Sequence, residues 1–390
     1  MHIAYVAGLF PLLSETFVWR EVRELRRRGH TVTCVSLREP EYLPEDLADL
    51  AEGRIVVYPA LGKPGVGSLR GLPDALLPGE GMSRNDRAKL LVQAAAGVRL
   101  GRQLKAAGVR HIHAHFAHAP ATVAMYAAQA AGVPFSFTGH ANDLFERRSL
   151  LRRKLQRAAF VACISDWHRR LYEEIEPASA GRLRVIRCGV DTTQFAPVPQ
   201  ERDGPLHLLT VCRLVEKKGV DALLRGAARF GRETGRAWKL TIAGTGPLWQ
   251  DLVAAAHKLD VEQHVAFLGA VPNEQVRQLV QEADVFALPC RVDRNGDKDG
   301  IPVVLMEAMA AGLPVLAGDL EAIRELVKDG ETGLIVDGTD DASVAAAVAR
   351  LEADPDLRRR LGQAGRGWVE QEFSLKVNVD RLEAAVGRPA

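Results

Sequence analysis

The chain has 390 residues, enough for two domains of ordinary size, and its 47% hydrophobic content excludes a disordered or low-complexity protein. No run approaches the roughly 18 apolar residues of a membrane helix, and Met1-His2-Ile3-Ala4-Tyr5-Val6 reads as a strand rather than a signal peptide. Cys34, Cys163, Cys188, Cys212 and Cys290 are scattered with no Cys-x-x-Cys pair; they read as buried thiols in a reducing compartment, which predicts a cytoplasmic protein.

The first half alternates strands with helices. Ile3–Ala7 is a short apolar run, followed by a loop at Gly8–Ser14 and a helix from about Glu15 to Arg28, closed by Gly29. Thr31–Leu37, Arg54–Tyr58, Arg110–His115, Pro134–Thr138, Phe160–Ile164 and Arg184–Arg187 read as further strands, with helical periodicity between them. Residues 59–90 are rich in Gly and Pro and carry no clear pattern. Residues 191–205, polar and punctuated by proline, are a predicted interdomain linker. The alternation then restarts with Leu206–Val211, Lys239–Ala243, Val265–Leu268, Val285–Leu288, Pro314–Ala317 and Gly333–Val336. Two series of βαβ units predict an α/β chain of two parallel, doubly wound sheets, over 1–190 and 206–370, with a last helix at about Leu375–Gly387 in 371–390. In such folds ligands bind beyond the carboxyl ends of the strands, and the cleft between two facing domains is the expected site.

The net charge of +2 hides an asymmetry. Residues 1–190 hold 27 Lys and Arg against 18 Asp and Glu, a surplus of 9; the remainder holds 24 against 31, a deficit of 7. Arg20, Arg23, Arg26, Arg27 and Arg28 form one basic cluster, and Arg147, Arg148, Arg152, Arg153, Lys154 and Arg157 another. A solvated helix face is the simplest reading and contact with an anionic membrane the alternative. No RNA-module motif or aromatic platform points to nucleic acid.

The most informative stretch is Asp299-Gly300-Ile301-Pro302-Val303-Val304-Leu305-Met306-Glu307-Ala308-Met309-Ala310-Ala311-Gly312. Pro302 suits the first helical position and Gly312 the stop, so Asp299 precedes a helix whose unpaired N–H groups face an anion, while Glu307 leaves the helix flank. A carboxylate beside an anion site suits a ligand with both phosphate and hydroxyls, such as a nucleotide sugar. Arg213, at the carboxyl end of a strand, and Lys218, before a helix at about Val220, suit a diphosphate or are ordinary surface cations. Gly244-Thr245-Gly246-Pro247 also follows a strand and suggests a close backbone approach to a ligand; it lacks the third glycine of a dinucleotide fingerprint, which excludes NAD.

His111, His113 and His115 alternate on one strand and share a face, with His118 just beyond. Zinc, the lining of an acceptor site and simple structure are the three readings, and the flanking loops offer no supporting carboxylate for the first. His140, Asn142 and Asp143 follow another strand end, where His140 is either a ligand contact or a structural histidine. There is no nucleophile elbow and no phosphate-binding Gly-x-x-x-x-Gly-Lys-Ser/Thr loop. Asp293, Asp297 and Asp299 alternate in a loop, as solvated carboxylates or as a Mg²⁺ site.

Together these pieces resemble the retaining glycosyltransferases of the GT-B fold, which include bacterial mannosyl-, glucosyl- and galactosyltransferases of polysaccharide assembly. The resemblance spans nearly the whole chain and rests on the acidic-x7-Glu block, Arg213 with Lys218, Gly244-Thr245-Gly246-Pro247, Gly189-Val190-Asp191 and Ala283-Asp284-Val285-Phe286-Ala287-Leu288-Pro289. Pro11-Leu12-Leu13-Ser14-Glu15-Thr16-Phe17-Val18 and Ile112-His113-Ala114-His115-Phe116 resemble its exopolysaccharide, colanic-acid-type branch in particular.

The resemblance implies two Rossmann-like domains facing a deep cleft, an acceptor-binding domain over 1–190, a donor-binding domain over 206–370 and a last helix crossing back to the first. It implies transfer of a hexosyl group, with retention, from a nucleotide-diphosphate sugar to a saccharide or lipid-linked acceptor. Arg213 and Lys218 would bind the diphosphate, Glu307 the ribose, and the backbone of Gly300, Ile301, Pro302 and Val303 phosphate or sugar. Asp299, where the family usually has Glu, would contact sugar hydroxyls, its carboxylate set back by roughly 1.5 Å. His140 would reach a sugar hydroxyl or phosphate, and Gly244, Gly246 and Gly8 would approach the donor. His113, His115, Asn142 and Asp143 would lie on the acceptor side. Neither metal nor cofactor is implied, because the nucleotide sugar is a substrate. The alternatives are a sugar phosphorylase, a nucleotide-sugar epimerase, or a non-catalytic sugar-binding relative.

Overall fold

The computed structural model describes residues 1–12, 15–43, 45–58, 84–140, 149–197 and 204–387. The chain divides into two compact units: Met1–Gly189 with Asn378–Ala390, and Val190–Val377. In the first, β1 (His2–Leu9), β2 (Thr31–Arg38), β3 (Ile55–Val56), β4 (His111–His115), β5 (Phe135–Gly139), β6 (Phe160–Cys163) and β7 (Leu183–Val185) form a sheet ordered β3-β2-β1-β4-β5-β6-β7. Every pairing is parallel; β1 is held between β2 (Ile3↔Val32) and β4 (Ile3↔His111). Ile3 to Ala7 are all buried, as expected of a strand covered by helices on both faces.

The first helix, Thr16–Arg27, buries Val18, Val22 and Leu25 on one stripe, each worth roughly 1.5–3 kcal/mol of apolar burial. It ends before Gly29 at φ 85°. Residues 59–83 lie outside the described residues, and the end of the unpatterned stretch opens the helix Arg84–Ala106. That helix packs backbone to backbone on Ala119–Ala131: a Cβ added at Gly101 would lie 2.3 Å from the Ala127 carbonyl oxygen.

In the second unit, β8 (Leu206–Val211), β9 (Trp238–Ala243), β10 (Val265–Gly269), β11 (Val285–Leu288), β12 (Val315–Gly318) and β13 (Leu334–Val336) form a parallel sheet ordered β10-β9-β8-β11-β12-β13. The strand order reverses between β1 and β4 in the first sheet, and between β8 and β11 in the second. The loops leaving the carboxyl ends of those four strands are therefore where ligands of doubly wound folds bind. The last helix, Leu375–Val386, starts in the second unit and ends in the first, where Asp380 and Glu383 accept from Arg28 at 2.6 and 2.5 Å.

Candidate functional site

In the second unit the chain leaves β8 through Cys212–Val215 into a single 3₁₀ turn, Glu216–Lys218, and enters the helix Val220–Thr234. Between them stands Gly219 at φ 68°, a left-handed conformation that suits glycine; a Cβ there would lie 2.0 Å from the Pro289 carbonyl oxygen. The loops after β8 and β11 thus touch through their backbones.

Across that contact the side chains pair. Lys218 Nζ lies 2.8 Å from Asp299 Oδ2, and Lys217 Nζ lies 2.8 Å from Asp297 Oδ2 and 3.7 Å from Asp299 Oδ1. The Cys290 thiol donates to Asp299 Oδ2 at 3.3 Å. Two of the three aspartates weighed as a Mg²⁺ site are therefore neutralised by lysines, and Asp293 instead accepts the backbone N–H groups of Asn295 and Asp297. Arg213 is exposed and makes no ion pair or side-chain hydrogen bond among the described residues.

Gly244 and Gly246 approach the chain's own backbone. An added Cβ would lie 1.8 Å from the Cys212 carbonyl oxygen at the first and 2.4 Å from that of Leu214 at the second. They shape the Arg213 loop, which Leu214 ties down by donating to the Thr245 carbonyl at 2.9 Å. The helix Val303–Ala310 begins one residue later than expected, because Pro302 keeps an extended ψ of 127° and acts as the cap. Its first N–H groups belong to Val303 and Val304, with Gly300 just before Ile301 and Pro302. Gly312, at φ 73°, ends it, and Leu313 donates back to the Ala308 carbonyl at 3.0 Å. Glu307 is half-buried on the flank.

In the first unit the histidines of β4 are internal. His111 Nε2 and His113 Nδ1 both meet Ser136 Oγ, at 2.6 and 2.8 Å, and His113 Nε2 meets Thr138 Oγ1 at 2.9 Å. His113 is fully buried, with both ring nitrogens committed to β5. His115 Nδ1 lies 3.3 Å from His140 Nε2, and its Nε2 lies 3.2 Å from Glu21 Oε1. Tyr5 Oη donates to the same oxygen at 2.5 Å. Phe17 and Phe116 pack against the His140 ring at centroid distances of 4.7 and 4.4 Å. Gly8, near the end of β1, has open space where a Cβ would go. Asn142 and Asp143 lie outside the described residues.

The family model described as "Glycosyltransferase Family 4" matches residues 14–194, and "Glycosyl transferases group 1" matches 191–368. The chain belongs to the GT-B-fold glycosyltransferases. It is 36% identical over 246 residues to a GDP-mannose-dependent alpha-(1-6)-phosphatidylinositol monomannoside mannosyltransferase of Mycolicibacterium smegmatis, covering 60% of this chain and 64% of that one. The chain thus spans about three fifths of the length of the mycobacterial mannosyltransferases that it matches. It is 27% identical to the amylovoran biosynthesis glycosyltransferase AmsK of Erwinia amylovora over all of both chains. Anabaena HepE, solved in complex with UDP, has the same fold, with a TM-score of 0.74 and 16% identity over 99% of both chains.

Electrostatics separates the two units of the chain. Around Asp299, burial pushes the carboxyl up, but the Lys218 and Lys217 ammonium groups outweigh it and hold it below the ordinary value. Burial likewise works against the Lys218 charge, and the Asp299 carboxylate more than restores it. Around His140 the balance is opposite: burial, and then the His115 ring, drive it well below the usual imidazole value, so it is neutral at pH 7. The Lys218–Asp299 pair is held charged, whereas the His140 ring is held neutral.

The sequence reading did not find Glu21 or Tyr5. Glu21, His113 and His115 each offer a ligand atom within 4.8 Å of the others, so the carboxylate sought in the flanking loops comes from the first helix instead. Every nitrogen of the two rings already has a hydrogen-bond partner. One signal pointed to it: Phe17, Glu21 and Leu25 follow at i, i+4 and i+8, which places a carboxylate beside the buried stripe.

Proposed function

We propose that the chain is a retaining hexosyltransferase that moves a hexosyl group from a nucleotide-diphosphate sugar to a saccharide acceptor, free or lipid-linked, in exopolysaccharide assembly. The observation that carries this reading is the grouping at the second switch point: exposed Arg213, the Lys218–Asp299 pair and the helix start at Val303 all stand on the loops leaving β8 and β11. An Arg fork with no partner among the described residues, a second cation and a helix N-terminus are the parts that a diphosphate recognises. The mannosyl transfer named for the mycobacterial relative and the amylovoran role named for AmsK support the hexosyl donor and the polysaccharide product.

In the proposed reaction the acceptor hydroxyl attacks on the face from which the nucleotide leaves, through an oxocarbenium-like transition state. Arg213 and Lys218 stabilise the charge that develops on the leaving diphosphate, and the leaving phosphate takes the acceptor's proton. Asp299 keeps Lys218 charged and aimed until the donor arrives; its short side chain suits that pairing. Catalysis by positioning and fixed charge needs no metal, so EDTA should leave turnover unchanged. The basic residues Arg152, Arg153 and Arg157 are proposed to meet an anionic membrane carrying a lipid-linked acceptor; salt-sensitive binding to anionic liposomes checks this.

The test is nucleotide release from NDP-sugars with saccharide acceptors, followed by proton NMR of the new linkage. Acceptor-dependent release with the donor's anomeric configuration kept supports the reading, and an inverted linkage contradicts it. Release of a sugar phosphate with inorganic phosphate would mark a phosphorylase. Interconversion of donors without acceptor would mark an epimerase, and binding without turnover a non-catalytic relative.

A further inference from the structure

The first unit has a cavity of about 720 Å³ at the amino ends of β5, β6 and β7, the edge of the sheet opposite to the loops of the switch point. Well-packed interiors leave few voids larger than a water molecule, and this volume falls in the range of ligand pockets. Its apolar surface comes from Met125 and Ala128 of the helix Ala119–Ala131, from Val133, and from Phe135 and Phe160, the first residues of β5 and β6. Its charged members are all arginines. Arg157, which ends the helix Leu151–Arg157, and Arg182 are exposed and Arg184 of β7 is half-buried, so the charge stands at the mouth. No acidic residue lines the cavity among the described residues.

Arg182 Nη1 donates to the Gln156 carbonyl at 3.0 Å, and Arg184 Nη1 to the Leu183 carbonyl at 2.9 Å. Neither makes an ion pair among the described residues, and a guanidinium with five donors keeps most of them after one such bond. The helices Ala119–Ala131, Leu151–Arg157 and Leu375–Val386 all end at this edge, and each end carries roughly half a negative charge. Three full positive charges outweigh them. A free phosphate would use the arginines and leave the apolar surface wet, and a neutral chain would do the reverse. We propose that the cavity takes a membrane lipid with a phosphate head, the phosphate on Arg157, Arg182 and Arg184 and the start of the apolar chain against Met125, Phe135 and Phe160. For the source of that lipid the inference rests on the membrane contact proposed above, whose Arg152, Arg153 and Arg157 stand on the helix that borders the cavity. β5 runs from the cavity at Phe135 to His140, one residue past its far end and roughly 16 Å away, so the lipid site is separate from the histidine cluster.

Calorimetric titration of the purified chain with dihexanoyl phosphatidic acid, a lipid soluble as a monomer, tests this beside inorganic phosphate and the uncharged dihexanoyl glycerol. The expected result is saturable binding of the phosphatidic acid at least tenfold tighter than of either control. Arg184→Gln should weaken it about tenfold, the size of one charge-assisted contact. Ala385→Trp, at a half-buried position of the last helix, should abolish it by filling the cavity. The two substitutions act on different elements, so if one fails to fold the other decides. Absence of binding overturns the proposal. Equal binding of inorganic phosphate, which marks a free-anion site, and binding unchanged in both variants, which marks a site elsewhere, also overturn it. Anionic vesicles tell the two readings apart. Salt-sensitive vesicle binding without uptake of the soluble lipid keeps the membrane contact and overturns the cavity, whereas uptake without vesicle binding supports the cavity and contradicts only the membrane contact.

Discussion

At the scale of single residues, Arg213 and Lys218 do different things although both are cations after β8. Arg213 is exposed, so its charge costs the fold little, and in the proposed reaction it meets the diphosphate. Arg213→Ala should lower kcat/KM by about 10²–10³-fold, the range of a lost transition-state contact, with the melting temperature nearly unchanged. Lys218 is half-buried on Asp299, so Asp299→Asn should cost both: about 1–3 kcal/mol of stability, seen by urea titration, and a lower turnover. Unchanged stability in Asp299→Asn would mean that the pair is a solvent-screened contact of no consequence.

At the scale of elements, the thirteen strands among the described residues were legible because parallel strands buried on both faces are short continuous apolar runs, as in Ile3–Ala7 or Val285–Leu288. The loops between them were less so. Gly219, Gly318 and Gly338 all make room for Pro289 and Cys290, with an added Cβ at Gly318 only 1.8 Å from the Cys290 carbonyl oxygen; nothing local in the sequence says that these three surround one turn. Lys154 was legible only as one more member of a basic cluster. It is fully buried, and its ammonium donates to the carbonyls of Ala117, His118 and Ser149 at 2.5, 3.0 and 2.9 Å, holding the loop that leaves β4 at the first switch point. Lys154→Met should therefore cost about 3 kcal/mol, measured by denaturant unfolding. In the other basic cluster three arginines pair within the unit: Arg23 with Asp49, Arg27 with Glu24, and Arg28 with Glu24, Asp380 and Glu383.

At the scale of the whole molecule, the two units carry opposite electrostatic characters, and acid should find the first one. Burial lowers His111 to about 4 and His168 to about 3, and places His113 and His140 well below the ordinary imidazole value of 6.5. These rings stay neutral in the fold, while in the unfolded chain they take up protons from about pH 6.5 downward. The unfolded state then binds more protons, so stability falls as pH falls. The loss starts near pH 6.5 and continues toward pH 4, at about 1.4 kcal/mol per pH unit for each ring. Calorimetry between pH 7.5 and 5 should show a falling melting transition, and a flat profile would mean that the rings titrate normally. The Lys218–Asp299 pair is silent in that window, because the lowered Asp299 loses its contribution only below its ordinary value of 3.8.

If Arg213 and its neighbours form the proposed nucleotide-sugar site, UDP-, GDP-, ADP- or TDP-sugars should raise the melting temperature of the purified protein in the presence of EDTA. Wild type should rise by several degrees with at least one nucleotide, because a ligand that binds only the folded state stabilises it by mass action, and Arg213→Ala should lose most of that rise. No shift with any of them, or an equal shift in Arg213→Ala, would contradict the account.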